Sequence, residues 1–206
     1  MTQYAFHFDG QRCTGCKTCQ LACADYNDLT CDFWYRRIYE FGDGEWTQAE
    51  DGTWTTTTFT YHVSVACNHC DNPACVQVCP TGAMHKDAET GLVSVNEKHC
   101  VGCGYCHMAC PYNVPKVNRE KGHSVKCDGC KDRVAQGLKP ICVESCPLRA
   151  LDFDPVDDMR ALGERADFAP LPDKNLTNPN LYAVAPDHAQ PSTGFVGTIV
   201  NVSEVK

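Results

Sequence analysis

The chain has 206 residues, 43% of them hydrophobic, with 26 acidic against 18 basic side chains, a formal net charge of −8 and 17 cysteines. That length allows one large domain or two small ones with a real core. The acidity argues against a nucleic-acid partner, and no apolar run reaches the roughly eighteen residues that read as a membrane span. Seventeen cysteines would suit a small secreted disulfide scaffold, but 206 residues is too long to need one, and the spacing points to metal instead.

The first residues, MTQYAFHFDG, carry neither the basic nor the apolar region of an export signal, so any export is expected to come from a partner. Tyr4, Phe6 and Phe8 alternate with strand periodicity and lead into the first cysteine set, Cys13, Cys16, Cys19 and Cys23. Residues 24–66 hold no ligand set but contain all three tryptophans, Trp34, Trp46 and Trp54. Gly42-Asp43-Gly44 followed by Thr53 to Tyr61 reads there as a β-hairpin. This aromatic segment reads first as core packed over the ligand modules, with a docking face as the alternative. Cys31, outside every set, reads as a buried thiol. Arg36-Arg37 lies too far from the N-terminus for an export signal and reads as a salt-bridged surface pair, with contact to an acidic partner second.

The second set is Cys67, Cys70, Cys75 and Cys79, followed by Pro80. A short strand around Leu92 to Val95 leads to the third, Cys100, Cys103, Cys106 and Cys110, followed by Pro111. The fourth is Cys127, Cys130, Cys142 and Cys146, followed by Pro147, with a basic insertion carrying Lys131, Arg133 and Lys139. Residues 152–206 hold half of the prolines and no cysteine, and read as an extended arm lying on this subunit or a neighbour.

The sets form an internal repeat. Phe8-Asp9-x-x-Arg12-Cys13-x-Gly15-Cys16-x-x-Cys19-x-x-Ala22-Cys23 matches Val95-Asn96-x-x-His99-Cys100-x-Gly102-Cys103-x-x-Cys106-x-x-Ala109-Cys110. Pro73-Ala74-Cys75-Val76-x-x-Cys79-Pro80-x-x-Ala83-Met84 matches Pro140-Ile141-Cys142-Val143-x-x-Cys146-Pro147-x-x-Ala150-Leu151. C-x2-C-x2-C-x3-C-P is an iron-sulfur run, in which three cysteines hold one 4Fe-4S cluster and the fourth crosses to its neighbour. Structural zinc, the alternative, more often takes two C-x2-C pairs across a longer span. The proline after Cys79, Cys110 and Cys146 stops a helical continuation and frees that ligand to cross; Cys23 is followed by Ala24 instead.

The order Cys79-Pro80-Thr81-Gly82-Ala83, strand, Cys100 is that of a two-cluster ferredoxin, which pairs sets two and three and leaves one and four to each other. Four 4Fe-4S clusters are expected. Cluster A takes Cys13, Cys16, Cys19 and Cys146, and cluster B takes Cys127, Cys130, Cys142 and Cys23. Cluster C takes Cys67, Cys70, Cys75 and Cys110, and cluster D takes Cys100, Cys103, Cys106 and Cys79. The expected fold class is α+β, with two bacterial-ferredoxin-like modules related by pseudo-twofold symmetry. One module is 1–23 with 120–151 and the other 67–119; 24–66 is a β-rich insertion and 152–206 a C-terminal arm. His85 and His99 sit beside ligands and could tune a cluster, although exposed surface histidines are the first reading. No nucleotide loop, nucleophile elbow or H-E-x-x-H pattern is present. The residues therefore read as an electron wire without a substrate site.

Specific runs now carry a resemblance. Cys13-Thr14-Gly15-Cys16, Arg36-Arg37-Ile38-Tyr39-Glu40, Cys67-Asn68-His69-Cys70, Tyr105-Cys106-His107-Met108-Ala109-Cys110-Pro111-Tyr112 and Cys142-Val143-Glu144-Ser145-Cys146-Pro147 are among them. The sequence resembles the iron-sulfur subunits of the anaerobic dimethyl sulfoxide reductase family, densely over about residues 3–155. The resemblance implies a non-catalytic subunit that passes electrons from a quinol-oxidising membrane anchor to a molybdopterin catalytic subunit reducing S- or N-oxides. Placement at the bacterial cytoplasmic membrane, on the periplasmic face by co-export with the catalytic subunit, follows from it, with the cytoplasmic face as the alternative. Relatives that hold a 3Fe cluster lack the second cysteine of the third set, whereas Cys103 is present here. The same wire serves polysulfide, tetrathionate and selenate reductases, and a free-standing polyferredoxin is the reading from a different class.

Overall fold

The computed structural model describes residues 2–205. Its first half contains β1 (Tyr4–Asp9), α1 (Thr18–Tyr26), β2 (Arg37–Asp43), β3 (Trp46–Gln48), β4 (Trp54–Thr56), β5 (Phe59–Val65), α2 (Ala74–Gln77), β6 (Met84–Lys86) and β7 (Val93–Val95). The second half contains α3 (Tyr105–Ala109), β8 (Lys116–Asn118), β9 (His123–Val125), α4 (Lys131–Val134), α5 (Ile141–Glu144), β10 (Leu151–Pro155), α6 (Val156–Leu162), β11 (Glu164–Arg165), β12 (Leu181–Val184) and β13 (Thr198–Ile199). Short helices and hairpins around the cysteine loops make this an α+β, ferredoxin-like protein.

The apolar alternation at Tyr4, Phe6 and Phe8 becomes β1, which lies between β10 and β12 in a four-stranded sheet of order β10-β1-β12-β11. Both faces of β1 are covered, so residues 5–8 are all buried. Phe6 packs on Phe153 of β10 with ring centroids 4.7 Å apart, and Phe8 is fully buried. The repeat seen in the sequence extends to strand pairing. Phe8 stands opposite Leu151 across β1 and β10, and Val95, its repeat partner, stands opposite Met84 across β6 and β7. Likewise α1 packs on α5 and α2 on α3.

The aromatic segment 24–66 differs from the expected single hairpin. β2 and β5 pair along their whole length, with Arg37 opposite Val65 and Asp43 opposite Phe59, and β3 and β4 form a separate hairpin between them. The chain reverses at Asp51-Gly52, where Gly52 takes φ 84° and Asp51 Oδ1 accepts the Thr53 N–H at 2.9 Å. Gly42 stays in β2 because its backbone still pairs with Thr60. This ribbon is an enlarged counterpart of β8 and β9, whose register sets Lys116 opposite Val125. Phe41 and Tyr61 are core, whereas Trp46 and Trp54 stand 62% and 57% exposed on one face of the small hairpin.

The C-terminal segment does lie on this subunit, but it is woven in more deeply than an arm. β12 runs parallel to β1, β13 pairs with β2, and residues 177–180 bond to the loop of the second cysteine set. Asn180 is the clamp: its backbone N–H donates to Asn68 O, its Nδ2 donates to His69 O at 2.9 Å and Asp71 Oδ1 at 2.8 Å, and its carbonyl accepts the Phe6 N–H. Composition measures whether a segment folds alone; this one takes its apolar contacts from strands already formed elsewhere.

Candidate iron-sulfur centres

The first and third cysteine loops follow the same backbone path. Gly15 and Gly102 take φ 69° and 65°, and Lys17 and Gly104, which open α1 and α3, take φ 60° and 81°. Left-handed turns of this kind direct successive amides inward, and glycine adopts them without a β-carbon clash. α1 then carries Cys19 and Cys23, and α3 carries Cys106 and ends at Cys110. Four residues is about one helical turn, so each helix presents two thiols on one side, one turn apart, to two neighbouring sets.

Cys13, Cys16, Cys19 and Cys146 surround one cavity, whose wall includes Phe8, Ile38 and Leu151. Cys79, Cys100, Cys103 and Cys106 surround another, walled by Met84 and Val95. The other eight thiols fall into two groups. Cys127, Cys142 and Cys130 act electrostatically on Cys23, and Cys67 and Cys110 act on Cys70 and Cys75. Among the described residues, no group of three or more His, Cys, Asp or Glu side chains is placed to hold a single metal ion. One zinc would need four ligands converging at about 2.3 Å from each sulfur. Thiols standing around cavities suit a bulkier group.

Burial pushes the Cys19 thiol up to about 11 and those of Cys70, Cys75 and Cys130 to about 12. Such thiols stay protonated when unligated, so iron binding must displace their protons. Hydrogen bonds then await the sulfurs. The Met84 and Ala150 N–H groups donate to Cys79 and Cys146 at 3.3 Å, and the Ser124 and Gly129 N–H groups donate to Cys100 and Cys127 at 3.3 and 3.4 Å. The Ser64 hydroxyl lies 3.9 Å from Cys19, and the Ser124 hydroxyl 3.4 Å from Cys106, its repeat position. Donors to cluster sulfurs are one of the means by which a protein sets reduction potential. The residues present therefore fit 4Fe-4S clusters.

Two expectations about single residues are overturned. Arg36 and Arg37 are not a surface pair; they are 2% and 1% exposed. Arg37 donates to the carbonyls of Tyr112 at 2.9 Å and Val205 at 3.3 Å. Arg36 donates to Ser64 Oγ at 2.8 Å and lies over the Phe6 ring, while its Nε and Nη2 find no acceptor among the described residues. Cys31 is exposed rather than buried, because residues 27–34 loop outward between α1 and β2. Cys31→Ser is expected to leave iron content, visible spectrum and turnover unchanged, measured on the purified protein in its complex; a lost cluster signal would place Cys31 among the ligands.

His85 and His99 are both exposed. The buried histidine is His69, 1% exposed, inside the second set at φ 44°. The Val93 N–H donates to its Nδ1 at 2.9 Å, which leaves Nε2 carrying the ring proton, buried and without an acceptor among the described residues. Lys126 is also buried, and donates to the carbonyls of Val93 and Cys127 and to Cys67 Sγ at 3.6 Å. Both residues had a signal in the sequence: His69 lies between two ligands, and Lys126 directly precedes Cys127. Two of the three basic residues of the fourth set's insertion are paired, Arg133 with Glu144 and Lys139 with Asp152 and Asp154.

Among known proteins, the model of a 4Fe-4S dicluster domain matches residues 58–156. The sequence is 54% identical, over the full length of both proteins, to the B subunit of anaerobic dimethyl sulfoxide reductase of Haemophilus influenzae. It is 55% identical over 99% of both proteins to the subunit of the same description in Escherichia coli. Over 76% of this chain and 78% of the relative, it is 39% identical to the thiosulfate reductase electron transfer subunit PhsB of Salmonella typhi.

Proposed function

From the premise that this protein belongs to the family of anaerobic dimethyl sulfoxide reductase B subunits, we propose that it is the iron-sulfur electron-transfer subunit of a molybdopterin oxidoreductase complex reducing dimethyl sulfoxide or related S- and N-oxides. It is not the catalytic subunit. Its partners are a molybdopterin catalytic subunit and a membrane anchor that oxidises quinol. No helix among the described residues is long and apolar enough to cross a membrane, so attachment, on the periplasmic face, falls to the anchor.

The single observation that carries this reading is the gathering of four thiols around each of two cavities, three from one run and one from another. It supports A as Cys13, Cys16, Cys19 and Cys146, and D as Cys100, Cys103, Cys106 and Cys79. By the same repeat we assign B to Cys127, Cys130, Cys142 and Cys23, and C to Cys67, Cys70, Cys75 and Cys110, whose thiols lie near enough to act on one another. The repeated strand register supports the modules 1–23 with 120–151, and 67–119, the boundary at 119/120 falling in the turn between β8 and β9. We read the order as A, B, C, D. α1 supplies both A and B, α3 with Cys110 supplies both C and D, and Lys126 lies between Cys67 and Cys127.

Bound clusters supply one-electron carriers. The protein's part is to hold them at fixed separations, cover them and set their potentials. B and C have no exposed thiol, whereas A and D each have one, Cys16 and Cys103. Those two places are the ends of the wire, where electrons arrive and leave. Val101, Tyr105 and Met108, all exposed, flank Cys103 and suit a partner surface.

The test is to purify the native complex, count iron and labile sulfide, and identify the subunits and the acceptor reduced. About sixteen iron atoms per copy of this subunit, in addition to any cluster the catalytic subunit carries, with catalytic and anchor subunits present, is the expected result. Zinc in place of iron removes the reading, and a soluble protein purified alone with full iron favours a free-standing polyferredoxin.

A further inference from the structure

Three cations are buried without a carboxylate ion pair among the described residues, Arg36, Arg37 and Lys126, and two of them, Arg36 and Lys126, stand among the thiols. The Ser64 Oγ that accepts from Arg36 lies 3.9 Å from Cys19 Sγ, and Cys142, Cys127 and Cys23 are the other thiols near that guanidinium. Lys126 adjoins Cys127 and donates to Cys67 Sγ at 3.6 Å, with Cys75 and Asp128 also near. The neighbours of Arg36 come from sets A and B, and those of Lys126 from sets B and C. Each cation therefore stands at a junction between two sets and belongs to neither alone.

The repeat shows that neither is needed to build a ligand loop. Ser64-Val65-Ala66-Cys67 and Ser124-Val125-Lys126-Cys127 occupy equivalent positions, so alanine stands in one copy where lysine stands in the other. The strand registers set Arg37 opposite Val65 and Lys116 opposite Val125, which places Arg36 at the position of Pro115. Both cations are additions to one copy of a scaffold whose other copy does without them. Isolated buried charge is costly, and two guanidinium nitrogens of Arg36 remain without an acceptor among the described residues. A negatively charged group on either side supplies what is missing.

We propose that Arg36 and Lys126 are fixed positive charges placed between neighbouring clusters, Arg36 between A and B and Lys126 between B and C, where they favour the reduced state of the clusters beside them. Reduction adds one electron to a cluster and breaks no bond, so a nearby fixed cation stabilises the reduced form more than the oxidised one. The charge acts on two clusters at once and raises the potential of both. Both are positioning residues in this sense: they touch no substrate and donate no ligand. The proposal rests on the reading that the sixteen cysteines hold four clusters.

Lys126→Met and Lys126→Gln, in the purified complex, test it by EPR-monitored redox titration, with signals assigned through single Cys→Ser variants. The potentials of B and C are expected to fall by about 59 mV or more, a tenfold loss in the one-electron equilibrium, while A and D move less. Lys126→Arg should restore them, and Arg36→Gln should move A and B instead. Unmoved potentials for B and C overturn the proposal, as does an equal fall in all four, which would report general loosening. Loss of iron from both uncharged lysine variants overturns it too, by making the lysine a structural requirement. Iron and sulfide analysis of the unsubstituted complex tests the cluster reading separately, so four clusters with unmoved potentials would sink only the role of the charges.

Discussion

Serine in place of Cys142 is expected to remove cluster B or convert it, and to cut electron flow between the two ends of the wire. Cys142 is 3% exposed on α5, which packs against α1, the helix that carries Cys23, proposed for the same cluster, and Cys19, proposed for the next. A serine hydroxyl is a harder and far less acidic ligand than a thiol, so iron at that corner is held weakly. Losing an outer-shell partner of a metal typically costs roughly ten- to hundred-fold in affinity or activity, and losing a ligand costs more. In the proposed order B stands between A and C, so the remaining clusters can be intact and still be disconnected. Low-temperature EPR should show one signal missing or altered, with turnover driven by quinol falling to background. Turnover driven by an artificial donor that reaches the catalytic subunit directly should survive. Four unchanged signals with full quinol-driven turnover would remove Cys142 from the ligands and undo the partition. The same exchange at any other of the sixteen should touch one cluster; at Cys103, exposed at an end of the wire, conversion is expected in place of collapse.

Phe8→Ala is expected to destabilise the protein by about 3–5 kcal/mol, the range for emptying an aromatic site in a packed core. Phe8 is fully buried in β1, faces Leu151 and Ala183 in the neighbouring strands, and lines the cavity of set A. The void would therefore open beside Cys13, Cys19 and Cys146, and cluster A should be lost first. Loss of visible absorbance and release of iron on heating read this better than a two-state unfolding curve, since bound clusters break the two-state condition. The variant should bleach at lower temperature, beginning with the signal assigned to A. Val95→Ala, at the matching place in the other module but only half-buried, should cost less. Equal losses in the two variants would show that Phe8 is not the plug of that cavity.

The sixteen thiols, their division into four runs and the strand before each odd-numbered run were legible because they are written locally. Cys19 and Cys23 are one turn apart, Gly15 and Gly102 mark left-handed turns, and Tyr4, Phe6 and Phe8 alternate, so each is set by backbone geometry over a few residues. The proposed partition among clusters needed only the repeat and the order of a ferredoxin. The aromatic segment was half legible: its strands were visible, but the register that spreads them into a long ribbon and a small hairpin depends on which backbone groups find partners.

The placing of charge was different. Arg36 and Arg37 looked like surface residues because arginine usually is one, and nothing nearby in the sequence says that Tyr112, Val205 and the thiols of two cysteine sets will close around them. The C-terminal segment looked too polar to fold, which is a statement about the segment alone, and β12 is held by β1, more than 170 residues earlier. The cysteine runs and their spacing are local properties and are written in the sequence. Burial, and with it which cations stand between the cysteine sets, arises only when distant segments pack together, and that was decided by the tertiary structure.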